Sequence, residues 1–416
     1  MIRADARLRV VLVNYNGGDL LERAVRSALT SQWPGEIDVV VVDNSSSDNS
    51  LESIETLDGV TIIRRPTNEG FGANNHGFAD LTGGRLELAA GDELPAPGVV
   101  ALLNPDAMVR RDTFRLLAAE LDASKKIGAA SPLIVFDRAF VELWVSGDLV
   151  IDSIERGGIE LSAQCHGVAG AERLPGAEAP VWLCPNGSIV RVPVEGIGEP
   201  IVVGVRSGEG AVGGLDVAGP AEIVVEVASR QSHHIVQNAG ILVGDNGVGI
   251  NRGFTKRVGE SMGPQAPLWC GAAVVFHPDY LAAVGGFDPE YFLYYEDVDL
   301  GLRGQALGWK TVHIPEAIVE HRHSDRSVQG TELVEVLQHR NRLLTLVRHG
   351  SPVDVAKGYA RAAVTPLSLG VSAIRNPAER DERLRLAKWR AKALKNAVTG
   401  ISKARAAKAL NEKDVR

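Results

Sequence analysis

The chain contains few of the features that mark secreted, disulfide-bonded or membrane-spanning proteins. Only three of its 416 residues are cysteine (Cys165, Cys184 and Cys270), and this number is too small for a disulfide framework. The three cysteines also lack the spacing of metal ligands. The N-terminal residues lack the apolar core of a signal peptide, and no apolar run approaches the ~20 residues of a membrane helix. We therefore expect a cytoplasmic location, and peripheral attachment to the cytoplasmic membrane face stays open.

Two further absences bear on possible ligands. The 52 acidic residues outnumber the 44 Lys and Arg residues. The resulting net charge of -8 argues against non-specific binding of nucleic acid. No Gly-x-Gly-x-x-Gly motif follows the first strand-like segment, which counts against a dinucleotide site. Neither nucleic acid nor a dinucleotide is therefore an expected partner.

The composition is that of a globular protein, with 45% apolar and 23% charged residues. The length predicts two domains, or one large domain with an insertion. Residues 375–416 hold 13 Lys/Arg against 5 Asp/Glu, so this tail carries +8 and the rest of the chain carries -16. Apolar residues recur in the tail at helical spacing, namely Leu384, Ala387, Ala391, Leu394 and Val398. They predict a helix that is solvated, packs on a partner subunit of a homo-oligomer, or lies on an anionic membrane surface.

Strand-like and helix-like patterns alternate over the first 135 residues. Apolar runs at 9–13, 39–42, 60–63 and 99–103 are separated by helical or turn-rich segments. This alternation predicts an α/β fold with a mostly parallel central sheet covered by helices. We predict α/β parts at 1–144 and 237–350, a β-rich insertion at 145–236, and a helical basic extension at 351–416.

Polar residues follow three of the predicted strands, at the edge where parallel sheets bind ligands. They are Asn14 and Asn16, Asp43, and Asn104 with Asp106. A further polar segment precedes a predicted helix and contains Asn68, Gly70 and Asn75. Each segment by itself suits either a nucleotide contact or an ordinary turn, because Asn, Asp and Gly serve both.

Carboxylates and histidines supply candidate catalytic and metal-binding groups. Asp106 could ligate Mg²⁺ or Mn²⁺, or cap the next helix. Three carboxylates lie within four residues, at Glu296, Asp297 and Asp299, and they repel one another. This cluster predicts either a bound cation or a base of raised pKa. Alternatively, the three residues only stabilise a helix N-terminus. Asp299 stands four residues before Arg303 and is predicted to pair with it structurally. His321 and His323 share a face of an extended segment and suit either a metal shell or packing.

Taken in order, these segments resemble the family 2 inverting glycosyltransferases of the GT-A fold, and among them the rhamnosyltransferase-like bacterial branch. The matching segments are VVLVNYNGGDLLERAVRSAL, VVVVDNSSSDNS, NEGFGANNHG, LLNPDA, CGAAVVFHPDYLAAVGGFDPEYFLYYEDVDLGLRGQALGW and VEHRHS. The most specific is the long one, which contains Phe-Asp followed by Tyr-Glu-Asp-Val-Asp-Leu. On this resemblance, 1–144 is the nucleotide-sugar-binding half and 237–350 the acceptor and catalytic half.

The resemblance implies a nucleotide-diphosphate sugar donor, a divalent metal (Mg²⁺ or Mn²⁺) and inversion at the anomeric carbon. By position, the implied donor contacts are Asn14, Asn16, Asp43, Asn68, Gly70, Asn75 and Asn104. Asp106 and His321 would bind the metal, Asp297 would be the general base with Glu296 beside it, and Trp269 and Tyr295 would contact the acceptor. Asn104 stands where many relatives have Asp, which leaves one carboxylate fewer for the metal.

The implied reaction is transfer of rhamnose or a similar hexose to a glycan or polyprenyl-linked acceptor of the cell envelope. Thymidine-diphosphate rhamnose is the first expectation for the donor, and galactofuranose is the next. Two other functions stay open: a sugar-nucleotide pyrophosphorylase, and an inactive glycosyltransferase-like binding or scaffold protein. The first is disfavoured because the segment after the first strand, Asn14 to Asp19, has no basic residue.

Overall fold

The fold is described from a computed structural model. The residues that the structure describes are 2–3, 5–82, 94–145, 149–151, 155–156, 159–160, 172–174, 181–183, 189–196, 201–207, 210–217, 220–226, 233–263, 265–322, 331–375, 377 and 380–415. His323 lies outside them, so its predicted role stays a prediction.

Strands and helices alternate at the start of the chain. The strands are β1 (Leu8–Asn14), β2 (Ile37–Asp43), β3 (Val60–Arg64), β4 (Val99–Leu103), β5 (Ala107–Val109) and β6 (Ile127–Val145). The α-helices are α1 (Gly18–Leu29) and α2 (Thr113–Ala119), and 3₁₀ helices cover Gly70–Gly77, Ala79–Leu81 and Ala123–Lys125. Helix α1 is amphipathic and buries Leu21, Ala24, Val25 and Ala28 at helical spacing.

Between residues 149 and 226 the described segments are all strands. They are β7 (Leu149–Ile151), β8 (Glu155–Arg156), β9 (Ile159–Glu160), β10 (Glu172–Leu174), β11 (Val181–Leu183), β12 (Ile189–Gly196), β13 (Ile201–Ser207), β14 (Gly210–Val217) and β15 (Pro220–Glu226). One sheet has the order β10-β7-β12-β8-β9, with β15 also paired to β12. Strands β11 and β13 pair instead with β6, and β14 pairs with β13. The limits of the predicted insertion stay a prediction.

The α/β pattern then resumes and completes the central sheet. The next elements are β16 (His233–Asn238), β17 (Ile241–Val243), β18 (Gly249–Asn251), β19 (Ala273–Phe276), α3 (Pro278–Val284), α4 (Glu296–Ala306) and β20 (Lys310–His321). The sheet runs β3-β2-β1-β4-β19-β6. Its first four strands are mutually parallel, β19 is antiparallel to β4 and β6, and β20 is parallel to β6. The predicted α/β class with a mostly parallel central sheet is confirmed.

Both faces of this sheet are covered, as its continuous apolar strands predict. Val10 and Leu12 of β1 belong to one core cluster with the buried side chains of α1. Val11, between them, belongs to the other cluster with Phe276 and Trp269. Side chains alternate between the two cores, and the polar residues are left at the strand ends.

Three helices form the C-terminal region: α5 (Glu332–His349), α6 (Pro352–Arg375) and α7 (Arg380–Val415). Helix α7 packs on α5 of the same chain, burying Ala393, Ala397 and Ala404. Leu384 and Val398, which were predicted to define its apolar face, are 38% and 51% exposed. No helix in the described part of the chain combines the length and apolarity needed to cross a membrane.

Candidate functional site

Asn14 and Asp43 meet at the ends of β1 and β2, where the strand register pairs them. The Asn14 amide donates to Asp43 Oδ1 at 3.0 Å, to Ser46 Oγ at 2.9 Å and to Ser50 Oγ at 2.8 Å. Both Asn14 and Asp43 are buried. Parallel pairing therefore brings these two predicted donor contacts together and fixes the orientation of the Asp43 carboxylate.

The amides of Asn16 and Asn68 shape the loops beside this pair. Asn16 Oδ1 accepts from the Ser47 backbone N–H at 2.7 Å. Asn68 Oδ1 accepts from Asn44 Nδ2 and from the Gly70 N–H, each at 2.8 Å. These contacts hold the loops after β1, β2 and β3 in position, and the predicted donor contacts of both residues stay predictions.

Gly70 and Asn75 contact the segment that precedes α4. A Cβ atom on Gly70, whose φ is +65°, would lie 2.1 Å from the Phe292 carbonyl oxygen, so only glycine fits there. The Asn75 amide donates to the Phe287 carbonyl and accepts from the Phe287 N–H, both at 2.8 Å. Both residues therefore join the first half of the chain to the second, and their predicted nucleotide contacts stay predictions.

Asp106 and His321 also converge, although they are far apart in sequence. His321 Nε2 lies 3.0 Å from Asp106 Oδ1 and 3.4 Å from Asn104 Nδ2. The other ring nitrogen, Nδ1, lies 2.6 Å from Gln237 Oε1. Gln237 was not predicted as a site residue, and a carbonyl oxygen in this position orients a metal-binding imidazole and holds its proton on Nδ1.

The donor set at Asp106 and His321 fits a divalent cation. With its proton on Nδ1, His321 presents an Nε2 lone pair to the Asp106 carboxylate, and these two acceptors need a proton or a cation between them. Mg²⁺ and Mn²⁺ take a few protein ligands and fill the remaining positions with water and phosphate oxygens. Within the described residues no group of three or more His, Cys, Asp or Glu is arranged to hold a metal.

Glu296 and Asp297 begin helix α4. Asp297 Oδ2 accepts from the Gly271 N–H at 3.1 Å, and its Oδ1 accepts from the Val298 N–H at 2.8 Å. Burial raises the pKa of Asp297, although these N–H groups favour its charged form. Burial and the charge of Asp297 raise the pKa of Glu296 well above its usual value. A carboxylate with a raised pKa is the better proton acceptor near neutral pH.

A two-residue segment connects Asp297 with the Asp106–His321 pair. The Ala272 carbonyl accepts from the Asn104 N–H at 2.9 Å, and the preceding Gly271 N–H is bound to Asp297. Asn104 in turn lies beside His321. Hydrogen bonds therefore link the segment of the candidate base to that of the candidate metal ligands, a link that the sequence does not reveal because the residues lie far apart along the chain.

The backbone ahead of Glu296 has an unusual conformation that a distant side chain supports. Phe292, Tyr294 and Tyr295 have φ values of 61°, 68° and 71°, a region that non-glycine residues rarely adopt. The buried Asn341 of α5 donates from Nδ2 to the carbonyls of Tyr291, Leu293 and Tyr294 at 2.9, 2.7 and 2.7 Å. Sequence reasoning missed Asn341, which lies 47 to 50 residues from its partners. Strain of this kind concentrates at functional sites.

Asp299 has a structural role, and its predicted pair with Arg303 is present at 3.0 Å. Its carboxylate also pairs with Arg348 at 3.3 Å and with His349 at 2.8 Å, both from α5. Burial would raise the pKa of Asp299, but Arg303, His349 and Arg348 hold it far below its usual value. This network ties α4 to α5 behind the Glu296–Asp297 pair.

The two predicted acceptor contacts have different environments. Trp269 is 0% exposed and packs against Phe276 and Phe287, which argues against the predicted acceptor contact. Tyr295 lines a cavity of ≈ 970 Å³ together with Glu296, Asp297 and residues of the C-terminal helices. None of Asn14, Asp43, Asn104 and Asp106 lines this cavity.

Two glycosyltransferase family models match successive parts of the chain. The family model for glycosyl transferase family 2 matches residues 9–159, and that for glycosyl transferase family group 2 matches residues 217–342. The two ranges together cover more than half of the chain. They include Asn14, Asp43 and Asp106 in the first range, and Asp297 and His321 in the second.

Individual relatives match over shorter stretches. An N-acetylglucosaminyl-diphospho-decaprenol L-rhamnosyltransferase of Mycobacterium tuberculosis is 45% identical over 51 residues, which are 12% of this chain and 17% of that protein. An uncharacterized glycosyltransferase of Nostoc sp. is 28% identical over 161 residues, 38% of this chain and 43% of that protein. The chain thus covers less than half the length of these relatives.

Solved structures that align over most of the chain are distant in sequence. GalNAc-T7 with UDP, GalNAc and Mn²⁺ is 13% identical, with 96% of this chain and 57% of that chain covered and a TM-score of 0.45. A mannosyltransferase of Pyrobaculum calidifontis with GDP-Man and Mn²⁺ is 12% identical, with 96% and 89% covered and a TM-score of 0.42.

Proposed function

We propose, from the premise that this chain belongs to the family 2 glycosyltransferases, that it is an inverting, metal-dependent hexosyltransferase. Its donor is a nucleotide-diphosphate sugar, and its acceptor is a hydroxyl of a cell-envelope glycan or lipid-linked sugar. One observation carries the proposal. The Gly271–Ala272 segment is hydrogen-bonded to both Asp297 and Asn104, and Asn104 lies beside the Asp106–His321 pair.

In this reaction Asp297 is the general base. An acceptor hydroxyl is a weak nucleophile, so a carboxylate within hydrogen-bonding distance must remove its proton during attack on the anomeric carbon. The raised pKa of Asp297 suits that transfer, and the Gly271 and Val298 N–H groups fix the orientation of its carboxylate. One base on the acceptor side, with no second carboxylate acting as nucleophile, leads to direct displacement and inversion.

The donor is held at the strand ends. Asp43, oriented by Asn14, is placed to accept hydrogen bonds from a base or ribose. Asp106 and His321 would hold the divalent metal, and Gln237 would keep His321 in the ligating tautomer. A bound metal would supply positive charge beside the diphosphate, where negative charge builds as the bond to the sugar breaks.

Rhamnose is the proposed sugar. Its support is the short match to a rhamnosyltransferase, together with Asn104, which stands where many relatives have Asp and which the rhamnosyltransferase-like branch usually shares. The printed name of that relative includes a diphospho-decaprenol acceptor, which favours a lipid-linked acceptor here.

The test is to incubate the chain with a panel of nucleotide-diphosphate hexoses and Mn²⁺ or Mg²⁺, and to follow sugar release to water or to simple glycosides by NMR. We expect one donor to be consumed and the released sugar to have the inverted anomeric configuration. Retention would contradict the single-base mechanism. Turnover that requires pyrophosphate would instead indicate a sugar-nucleotide pyrophosphorylase. No turnover of any donor would favour a binding or scaffold protein.

A further inference from the structure

Glu296 lines the same cavity as Asp297 but has no task in the proposed reaction. Its side chain is 7% exposed, and neither carboxyl oxygen has a hydrogen-bond partner in another described residue. Oε2 is closed to solvent, whereas Oε1 is not. A carboxyl group without a partner therefore borders the cavity beside the proposed base.

The two adjacent carboxyl groups differ in the hydrogen-bond donors that surround them. Asp297 receives one N–H on each oxygen, from Gly271 at 3.1 Å and from Val298 at 2.8 Å. Oε2 of Glu296 receives none. A buried ionised oxygen without a donor costs far more free energy than the carbonyl oxygen of a neutral acid. The proton that two neighbouring buried carboxyl groups share is therefore held by Glu296, and the charge lies on Asp297.

The groups around Glu296 do not stabilise a negative charge on it. Burial and the charge of Asp297 both raise its pKa. Tyr294 and Cys270, which lie near it, are neutral, because burial raises the pKa of both, that of Cys270 to about 12. Four basic side chains of α5 to α7 also line the cavity, and in the described part of the chain none forms an ion pair with Glu296: Arg342, Arg361, Arg390 and His339.

We propose that Glu296 binds the acceptor sugar as a neutral acid, donating a hydrogen bond from its O–H to an acceptor oxygen while Asp297 takes the proton of the attacking hydroxyl. This assignment rests on the proposed function. The proton of Glu296 is shared in the hydrogen bond and is not transferred, so Asp297 remains the single base. Glu296 then helps to fix which acceptor hydroxyl faces the anomeric carbon.

A neutral Glu296 also accounts for single-base chemistry at a site with two adjacent carboxyl groups. A second ionised carboxylate would repel the negative charge that develops on the attacking oxygen. An ionised carboxylate can only accept hydrogen bonds, whereas a neutral acid also donates one to a lone pair of a sugar oxygen. Asp297 and Glu296 thus offer the acceptor one hydrogen-bond acceptor and one donor.

The position of the proton is tested by infrared difference spectroscopy at about pH 7, comparing the original chain with Glu296→Gln. We expect the variant to lose the carbonyl band of a protonated carboxyl group. Glu52→Gln, a matched change at an exposed glutamate, should instead lose a band of an ionised carboxylate. Loss of an ionised carboxylate band in Glu296→Gln would overturn the assignment.

The contact with the acceptor is tested by kinetics, using the donor and the simple glycoside that the turnover assay identifies. Glu296→Met keeps the length of the side chain but removes the O–H. We therefore expect its acceptor KM to rise about fivefold or more, while donor affinity measured by calorimetry is kept. Glu296→Gln retains a donor group and should recover most of this loss.

A role of Glu296 in folding alone would not raise the acceptor KM while leaving donor affinity unchanged. An unchanged acceptor KM in Glu296→Met would overturn the proposal. Turnover of Glu296→Gln as low as that of Asp297→Asn would also overturn it, because Glu296 would then act in its ionised form.

The infrared measurement needs no substrate, so failure of the proposed function can be recognised separately. If Glu296 carries the proton but no nucleotide sugar is turned over, the neutral acid stands and the transferase proposal fails. If a donor is turned over but Glu296 proves to be ionised, the transferase proposal stands and the neutral acid fails.

Discussion

The side-chain amide of Asn341 donates a 2.7 Å hydrogen bond to the backbone carbonyl of Tyr294, two residues ahead of the carboxylate pair at the start of α4. The same amide reaches the carbonyls of Tyr291 and Leu293. A single buried side chain of the C-terminal region therefore supports the left-handed backbone that presents Glu296 and Asp297.

Asn341→Ala should lower both stability and turnover. Three backbone carbonyls would lose their donor, and each buried unsatisfied group costs about 1–3 kcal/mol. We expect the free energy of unfolding to fall by about 2 kcal/mol or more, measured by urea denaturation, with reduced donor hydrolysis at a temperature where the variant is still folded. Asn396→Ala, at a partly exposed position of α7, serves as the control. Equal stability of the two variants would contradict the role of Asn341.

Asp299→Asn should be more destabilising than a surface change. Asp299 is fully buried and offsets the charges of Arg303 and Arg348. Breaking a buried ion pair on one side typically costs about 3–5 kcal/mol, because the remaining charge stays buried. Thermal and urea unfolding will measure this loss, with the exposed Asp58→Asn as the matched control. A loss below about 1 kcal/mol would show that the network contributes little.

The raised pKa values of Asp297 and Glu296 predict a particular pH dependence. Asp297 must be ionised to accept a proton, so kcat/KM should fall as the pH drops through its raised pKa, at a higher pH than for an ordinary aspartate near 4. If kcat/KM fell only in the pH range of an ordinary aspartate, the conclusion that burial raises the pKa of Asp297 would be contradicted.

Stability should change with pH in the opposite direction at these two residues. A carboxyl group whose pKa is raised on folding contributes full stability below its unfolded pKa, and that contribution is lost as the pH rises through the folded pKa. Glu296→Gln, which stays neutral, should therefore remove part of this loss. Urea unfolding of both proteins at about pH 5 and about pH 8 measures the difference. A larger loss of stability with rising pH in the variant would contradict the expectation.

Asp106→Ala should remove the metal dependence of donor binding. The carboxylate lies against His321, and the pair is proposed to hold the cation beside the donor diphosphate. Calorimetry of donor binding with and without Mn²⁺ should show a metal-dependent gain for the original chain and little or none for the variant. Equal donor affinity of the original chain in both conditions would contradict the proposed metal site.

The parts of the fold that follow from local pattern were predictable. Continuous apolar runs predicted β1 to β4, because a strand buried on both faces has no polar alternation. The Asp299–Arg303 pair was predictable from its four-residue spacing on one helix. In each case, residues that are close together in the sequence are sufficient for the prediction.

Other features depend on contacts between distant segments, which one sequence does not display. Gln237 lies 84 residues from His321, and no local pattern marks it as the orienting group. The tail was predicted to be helical, but its packing face was misjudged, because Ala393 and Ala397 carry a weak hydropathy signal. Small side chains allow close helix packing, so these alanines are buried while the larger Val398 is exposed.

The most direct test of the account is the effect of Asp297→Asn on sugar transfer. Asparagine keeps the shape of the side chain but cannot take up the acceptor proton. We predict that turnover falls at least about 10²-fold, while donor affinity measured by calorimetry is largely kept. Asp58→Asn, at an exposed position, should leave both unchanged. Near-normal turnover in Asp297→Asn would remove Asp297 as the base and contradict the proposed mechanism.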